Sequence, residues 1–165
     1  MPPPALQRRQ YQVFIDRIPE AVFAFHTRLA NHPRICPPDQ PEEVYIAPTP
    51  DLRDQVRVTY RITRAGGASH LFTVEVFDWT PPYGYAVRQV EGPFASWTHR
   101  RRFAAFQGGT LLTDQIEYAP PGGPLGAIID RLYLGTQLDR LFRHRQEEAK
   151  RLIERISRIK GRDAL

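Results

Sequence analysis

Cys36 is the only cysteine among 165 residues, so the chain cannot carry an internal disulfide framework or a cysteine-rich zinc motif. No apolar run approaches the ~18 residues of a membrane-spanning helix. The N-terminal MPPPALQRRQ lacks the apolar centre of a signal peptide and reads as a short disordered tail over residues 1–10. A cytoplasmic location, without stable membrane insertion, is the default expectation. AGGAS, QGGT and PGGP read as turns or a helix approach, so no glycine-rich phosphate loop is present. His32, His70 and His144 are widely separated and show no metal-ligand spacing with one another or with Cys36, and neither a metal nor a cofactor is expected. Cys36, between Ile35 and Pro37, reads as a small apolar loop residue.

Acidic residues are outnumbered, 18 against 23 Lys and Arg, giving a formal charge of +5. That balance invites a nucleic-acid or anionic-membrane reading. Much of the excess, however, is arginine interleaved with glutamate near the C-terminus, the pattern of a solvated helix face. No nucleic-acid partner is expected. With 41% hydrophobic residues and 18 aromatics, the chain has the composition of an ordinary globular domain. Its length suits one domain, placed at residues 11–160 and expected as a monomer or homodimer.

Periodicity lays out the elements. YQVFIDRI (11–18) reads as a strand, and PEAVFAFHTRLAN as a helix with Pro19 in its first turn, ending near Asn31 before a proline-rich loop. His26, beside the apolar face of that helix, reads as a partly buried helix residue. EEVYIAP, QVRVTYRIT, HLFTVEVFDW and YAVRQVE then read as strands. In QVRVTYRIT, Val56, Val58, Tyr60 and Ile62 point inward. GPFASWTHRRRFAAF and TLLTDQIEY form a hairpin around QGG. From about Pro124 to Ile159 an apolar stripe of helical period includes Leu138, Leu141, Phe142 and Ile153. It thins at Gly135–Thr136, where a kink, a break or vacant space is expected. Before that helix, PGGPLG reads as a flexible connection that gates whatever lies beneath.

The hairpin poses the functional question. Its aromatic face, Trp97 and Phe103, also carries His99 and Arg101. A two-residue loop at Gly108–Gly109 sets Phe103 opposite Asp114, Arg101 opposite Ile116 and His99 opposite Tyr118. Arg101 is then diagonal to Asp114. One reading makes these groups a structural pair that fixes strand register. The other has Gln89, His99, Arg101, Asp114 and Tyr118 hold the polar end of a bound molecule. Tyr60, Phe72, Trp97, Phe103 and Phe142 belong to the core first and line the cavity in part. The fold class is α+β: a curved antiparallel sheet with one long helix over it, and a gap between them as the natural ligand site.

PP at 81–82, Tyr85, Gln89, GPF at 92–94, Trp97, His99, Phe103, Asp114, Tyr118 and GPLG at 123–126 carry a family resemblance. On these residues the chain resembles the helix-grip fold of the START-like, or SRPBCC, superfamily, and within it the bacterial polyketide cyclase/dehydrase-like proteins. The resemblance runs from about residue 11 to residue 155. It implies a carrier or binding module for a small hydrophobic or amphipathic molecule. The alternative is an aromatase/cyclase- or dehydratase-like enzyme in which His99 is the base and Arg101 with Tyr118 stabilises an enolate. Two positions depart from the pattern: Arg101 stands where a second histidine is common, and Val87 where an acid is common.

Overall fold

Strict alternation along the middle of the chain becomes strand. In β3 (Arg57–Thr63), Val58, Tyr60 and Ile62 are buried while Arg57 and Arg61 are exposed, as a sheet with one covered face requires. The computed structural model describes residues 6–122 and 133–162, with backbone alone for 157–162. The other strands are β1 (Gln7–Ile15), β2 (Glu42–Ile46), β4 (Ser69–Thr80), β5 (Gly84–Glu91), β6 (Ser96–Phe106) and β7 (Gly109–Ala119). They form one antiparallel sheet in the order β1-β7-β6-β5-β4-β3-β2. Register slips in β2 between Val44 and Ile46, and in β4 at Thr73/Val74 and Phe77/Thr80. Asp78 takes a positive φ of 52° within the second β4 slip. Such bulges bend a strand and sharpen its twist, and the sheet curves.

The long helix α2 (Gly135–Arg162) lies against this sheet. Leu138, Leu141, Phe142, Ala149 and Ile153 are its buried apolar residues. Burying the four larger ones contributes roughly 1.5–3 kcal/mol each. Tyr11 stacks on Phe142 with ring centroids 5.3 Å apart and donates to Asp139 at 2.6 Å, which ties α2 to β1. No described helix is long and apolar enough to cross a membrane.

Some elements differ from their sequence expectation. β1 starts at Gln7, inside the expected tail, because its ladder with β7 continues to the Gln7–Tyr118 pair. Residues 1–5 lie outside the described residues. Helix α1 (Pro19–Thr27) stops four residues before Asn31. Arg28 turns extended and bridges Asp51, and Leu52 N–H donates to the Thr27 carbonyl at 2.7 Å. Two 3₁₀ turns, Leu29–Asn31 and Pro33–Ile35, follow. The hairpin turn is Gln107–Gly108, with Phe106 paired to Gly109. Both turn residues have positive φ, 47° and 80°, the requirement of a type I′ turn. Gln107 accepts the left-handed region, so Gly109 is released to start β7. Residues 123–132, expected as helix and gate, lie outside the described residues.

Candidate functional site

The shifted turn moves every hairpin partner by two residues and leaves each on its face. Arg101 is therefore directly opposite Asp114, His99 opposite Ile116, Trp97 opposite Tyr118 and Phe103 opposite Leu112. Arg101, expected diagonal to Asp114, is its direct partner, and His99 takes the diagonal place.

Three elements carry the same layered pattern. Along β6, Trp97 belongs to one apolar cluster and Phe103 to another. Between them stand His99 and Arg101. Along β7, Asp114 stands between Leu112 and Ile116, and along α2, Arg145 and Gln146 stand between Phe142 and Ala149. All five polar residues are buried. A polar belt thus crosses the interior between two apolar cores.

Asp114 is the hub of the belt and is fully buried. Its Oδ1 accepts from His99 Nε2 at 2.6 Å and from Arg101 Nε at 2.7 Å. Its Oδ2 accepts from Gln146 Nε2 at 2.8 Å. Burial alone would raise its pKa, but the Arg101 charge and the donated hydrogen bonds outweigh burial and hold it well below the usual range. His99 is lowered by burial against the pull of Asp114, so a neutral ring donates Nε2–H to the carboxylate. Arg101 Nη1 lies 2.9 Å from His26 Nδ1 and donates to the Tyr85 hydroxyl at 3.3 Å.

A second buried group stands on the other side. Arg145 pairs with Glu42, whose Oε2 is 2.7 Å from His32 Nε2. Burial opposes ionisation of Glu42, yet Arg145 and His32 bring its pKa down to about 2. Cys36 Sγ donates to the His32 carbonyl at 3.2 Å and lies 3.8 Å from Arg145. Burial would raise the thiol pKa, but the Arg145 charge and the His32 hydrogen bond lower it. Against the sequence expectation, donor atoms of His32, Cys36 and Glu42 gather within 4.8 Å of one another. That set has metal-ligand chemistry, but the Arg145 guanidinium already supplies its cation.

Both groups border one cavity of about 70 Å³ between sheet, α1 and α2. Tyr60, Phe72, Trp97, His99, Arg101 and Phe142 line it, as the sequence suggests for part of its candidate set. The other four candidates lie elsewhere. Asp114 sits behind the wall and holds it. Phe103 packs on Phe23 with centroids 5.5 Å apart. Gln89 spends its amide on Phe94, donating to the carbonyl at 2.8 Å and accepting from the N–H at 3.3 Å. Tyr118 packs beside Trp97 and Phe94 and is hydrogen-bonded to Arg9. His99, expected opposite Tyr118, has Asp114 as its hydrogen-bond partner instead, and Tyr85, not Tyr118, is the phenol beside Arg101.

His26, His32, Glu42, Tyr85 and Arg145 line the cavity without having been read as its residues. One signal was available for Arg145 and Gln146: they fall on the apolar stripe of α2, one turn past Leu141 and Phe142. His26 is buried beside Phe25 and Phe103, and nothing local distinguishes it from a half-buried helix residue.

No family model matches this chain, and neither does any curated protein. Solved structures do. The di-domain ARO/CYC StfQ from the steffimycin biosynthetic pathway matches with a TM-score of 0.74 at 14% identity, over 92% of this chain and 52% of that one. The chain thus spans about half the length of StfQ. The protein TTHA0849 from Thermus thermophilus matches with a TM-score of 0.67 at 17% identity, over 92% and 99% of the two chains. Ara h 8.0201 matches at 0.62 and 9% identity, over 90% and 98%. Likeness at these identities is one of architecture, and that architecture is the curved seven-stranded sheet with its long C-terminal helix. The chain has a helix-grip fold, a curved antiparallel sheet closed over by one long C-terminal helix.

Proposed function

We propose that this chain is a binding or carrier module that holds a small hydrophobic or amphipathic molecule in the cavity between sheet and α2. The observation that carries the reading is the buried polar belt opening onto a cavity whose remaining wall is largely aromatic and aliphatic. Buried ions cost several kcal/mol each unless paired, and replacing them by apolar residues is often neutral or stabilising. A belt with no use beyond packing is an expensive way to fill a core. The apolar wall supplies affinity at about 25 cal/mol per Å² of apolar area, enough for micromolar binding after the costs of association. A cavity of about 70 Å³ holds a few waters, whereas one benzene ring occupies an apolar cavity of about 150 Å³. Binding therefore requires Phe72, Trp97 or Phe142 to yield.

Native mass spectrometry of the protein purified from its host should retain a small molecule. Thermal-shift screening against fatty acids, aromatic polyketides and isoprenoids should raise the Tm of the wild type. If no compound shifts Tm while DNA binds with a steep salt dependence, the cavity reading fails and the basic surface takes its place.

One observation favours an enzymatic reading of the same cavity. Asp114 holds His99 Nε2–H at 2.6 Å, the arrangement that orients a catalytic imidazole and leaves Nδ1 as the base. His99→Gln, losing turnover of a cyclisable carbonyl compound but retaining its binding, would support that reading; equal loss of both would count against it.

A further inference from the structure

Two buried N–H donors, on side chains that border the cavity, have no acceptor among the described residues. His26 Nδ1 lies 2.9 Å from Arg101 Nη1. A guanidinium only donates, so Nδ1 accepts, and a neutral His26 ring carries its proton on Nε2. Burial first, and then the Arg101 charge, push His26 protonation well below the usual range, which agrees with that neutral tautomer. His26 Nε2–H then has no partner among the described residues, and neither does Arg145 Nε–H. Both side chains border the same cavity. Buried polar groups are paired in the great majority of native proteins. Two orphans of one kind, on cavity-bordering side chains from α1 and α2, describe what would satisfy them: oxygen acceptors.

Charge narrows the chemistry further. Arg101 already faces Asp114, and Arg145 already faces Glu42. His26 is neutral, and burial lowers His99 toward the neutral form. Of the three histidines around the cavity, only His32 is pushed toward the charged form: burial opposes this, but Cys36 and Glu42 outweigh it. A carboxylate would bring a third, poorly compensated negative charge into a site whose two guanidinium groups are already paired.

We infer that the bound molecule presents uncharged oxygen acceptors to His26 Nε2–H and Arg145 Nε–H, as a ketone, ester or quinone does, while its hydrocarbon body lies along Phe72, Trp97 and Phe142. This specificity rests on the cavity being the binding site. The two donors act as a filter: they reject a plain hydrocarbon, which leaves them unpaired, and they do not rescue an acid.

Acetophenone, ethylbenzene and benzoate test it, since they share one ring and differ at the polar end. Titrated into ¹⁵N-labelled protein, acetophenone is expected to bind about tenfold more tightly than either of the others, the worth of about one hydrogen bond. Long-range ¹H–¹⁵N spectra should show the His26 Nε2 signal moving with acetophenone and staying put with ethylbenzene. His26→Leu removes one donor and should bring acetophenone down to the affinity of ethylbenzene. Arg145→Lys keeps a cation beside Glu42 without the Nε–H and should lower acetophenone binding in the same direction. Equal binding of the three probes, tightest binding by benzoate, or an unmoved Nε2 signal overturns the inference and leaves cavity binding intact. If none of the three binds up to its solubility limit, the binding reading itself falls. The wild-type series decides the matter even if neither variant folds.

Discussion

Replacing Asp114 by Asn keeps the size of a side chain that is 0% exposed and removes one negative charge. Three donors converge on the native carboxylate: His99 Nε2 at 2.6 Å, Arg101 Nε at 2.7 Å and Gln146 Nε2 at 2.8 Å. The Asn oxygen can keep the first two. Its amide nitrogen then faces Gln146, whose own amide turns over to offer oxygen. The hydrogen-bond count survives, so the substitution isolates the charge. What is lost is the partner of Arg101, itself buried. Removing one member of a buried pair costs about 3–5 kcal/mol. Arg101 keeps His26 and Tyr85 as neutral acceptors, so the lower end, about 3 kcal/mol, is expected. For a domain of this size that lowers Tm by roughly 6–12 °C. Urea unfolding followed by Trp97 and Trp79 fluorescence should show a lower midpoint at unchanged slope. A double variant, Asp114→Leu with Arg101→Met, removes both charges and should recover much of the loss. A cost below about 1 kcal/mol for Asp114→Asn, or no recovery in the double variant, would refute the claim that this pair carries the belt.

Three further outcomes follow from the same geometry. Glu42 falls from 4.5 to about 2 on folding, and Asp114 is lowered too. Their stabilisation is present above about pH 4.5 and lost as pH falls through the folded values; for Glu42 it is on the order of 3 kcal/mol. His26 and His99, lowered from 6.5, are more protonated when unfolded, so they also erode stability below pH 6.5, while raised His32 opposes them. Urea midpoints should fall from neutral pH downward, steepest below pH 4.5, and a flat profile would contradict the directions given. Phe142→Ala removes a ring that is 0% exposed and should cost about 3–5 kcal/mol while tightening ethylbenzene binding, measured by calorimetry; weaker binding would mean that the ring does not limit the cavity. Gly84→Ala sets a Cβ 2.6 Å from the Arg101 carbonyl oxygen and should lose about 1–3 kcal/mol in a thermal melt, whereas no loss would show that β5 and β6 part easily there.

Periodicity alone determined much of this protein. Alternation is a local property of a strand, so Val58, Tyr60 and Ile62, and the mixed face of Trp97, His99, Arg101 and Phe103, were assigned correctly from residue order. The stripe of Leu138, Leu141, Phe142 and Ile153 marked α2 for the same reason. A two-residue error in the hairpin partners did no harm to the faces, because side chains repeat every second residue. It did misplace the pairs: Asp114 belongs opposite Arg101, and Tyr118 opposite Trp97. Only the tertiary structure decided which groups meet across elements. His26 from α1, Glu42 from β2 and Arg145 from α2 are more than a hundred residues apart at the extremes, yet they border one cavity. Their convergence depends on the bulges that bend β2 and β4, on the early end of α1 at Thr27 and on how α2 lies over the sheet. Those are properties of packing between elements, and no spacing within a single element encodes them.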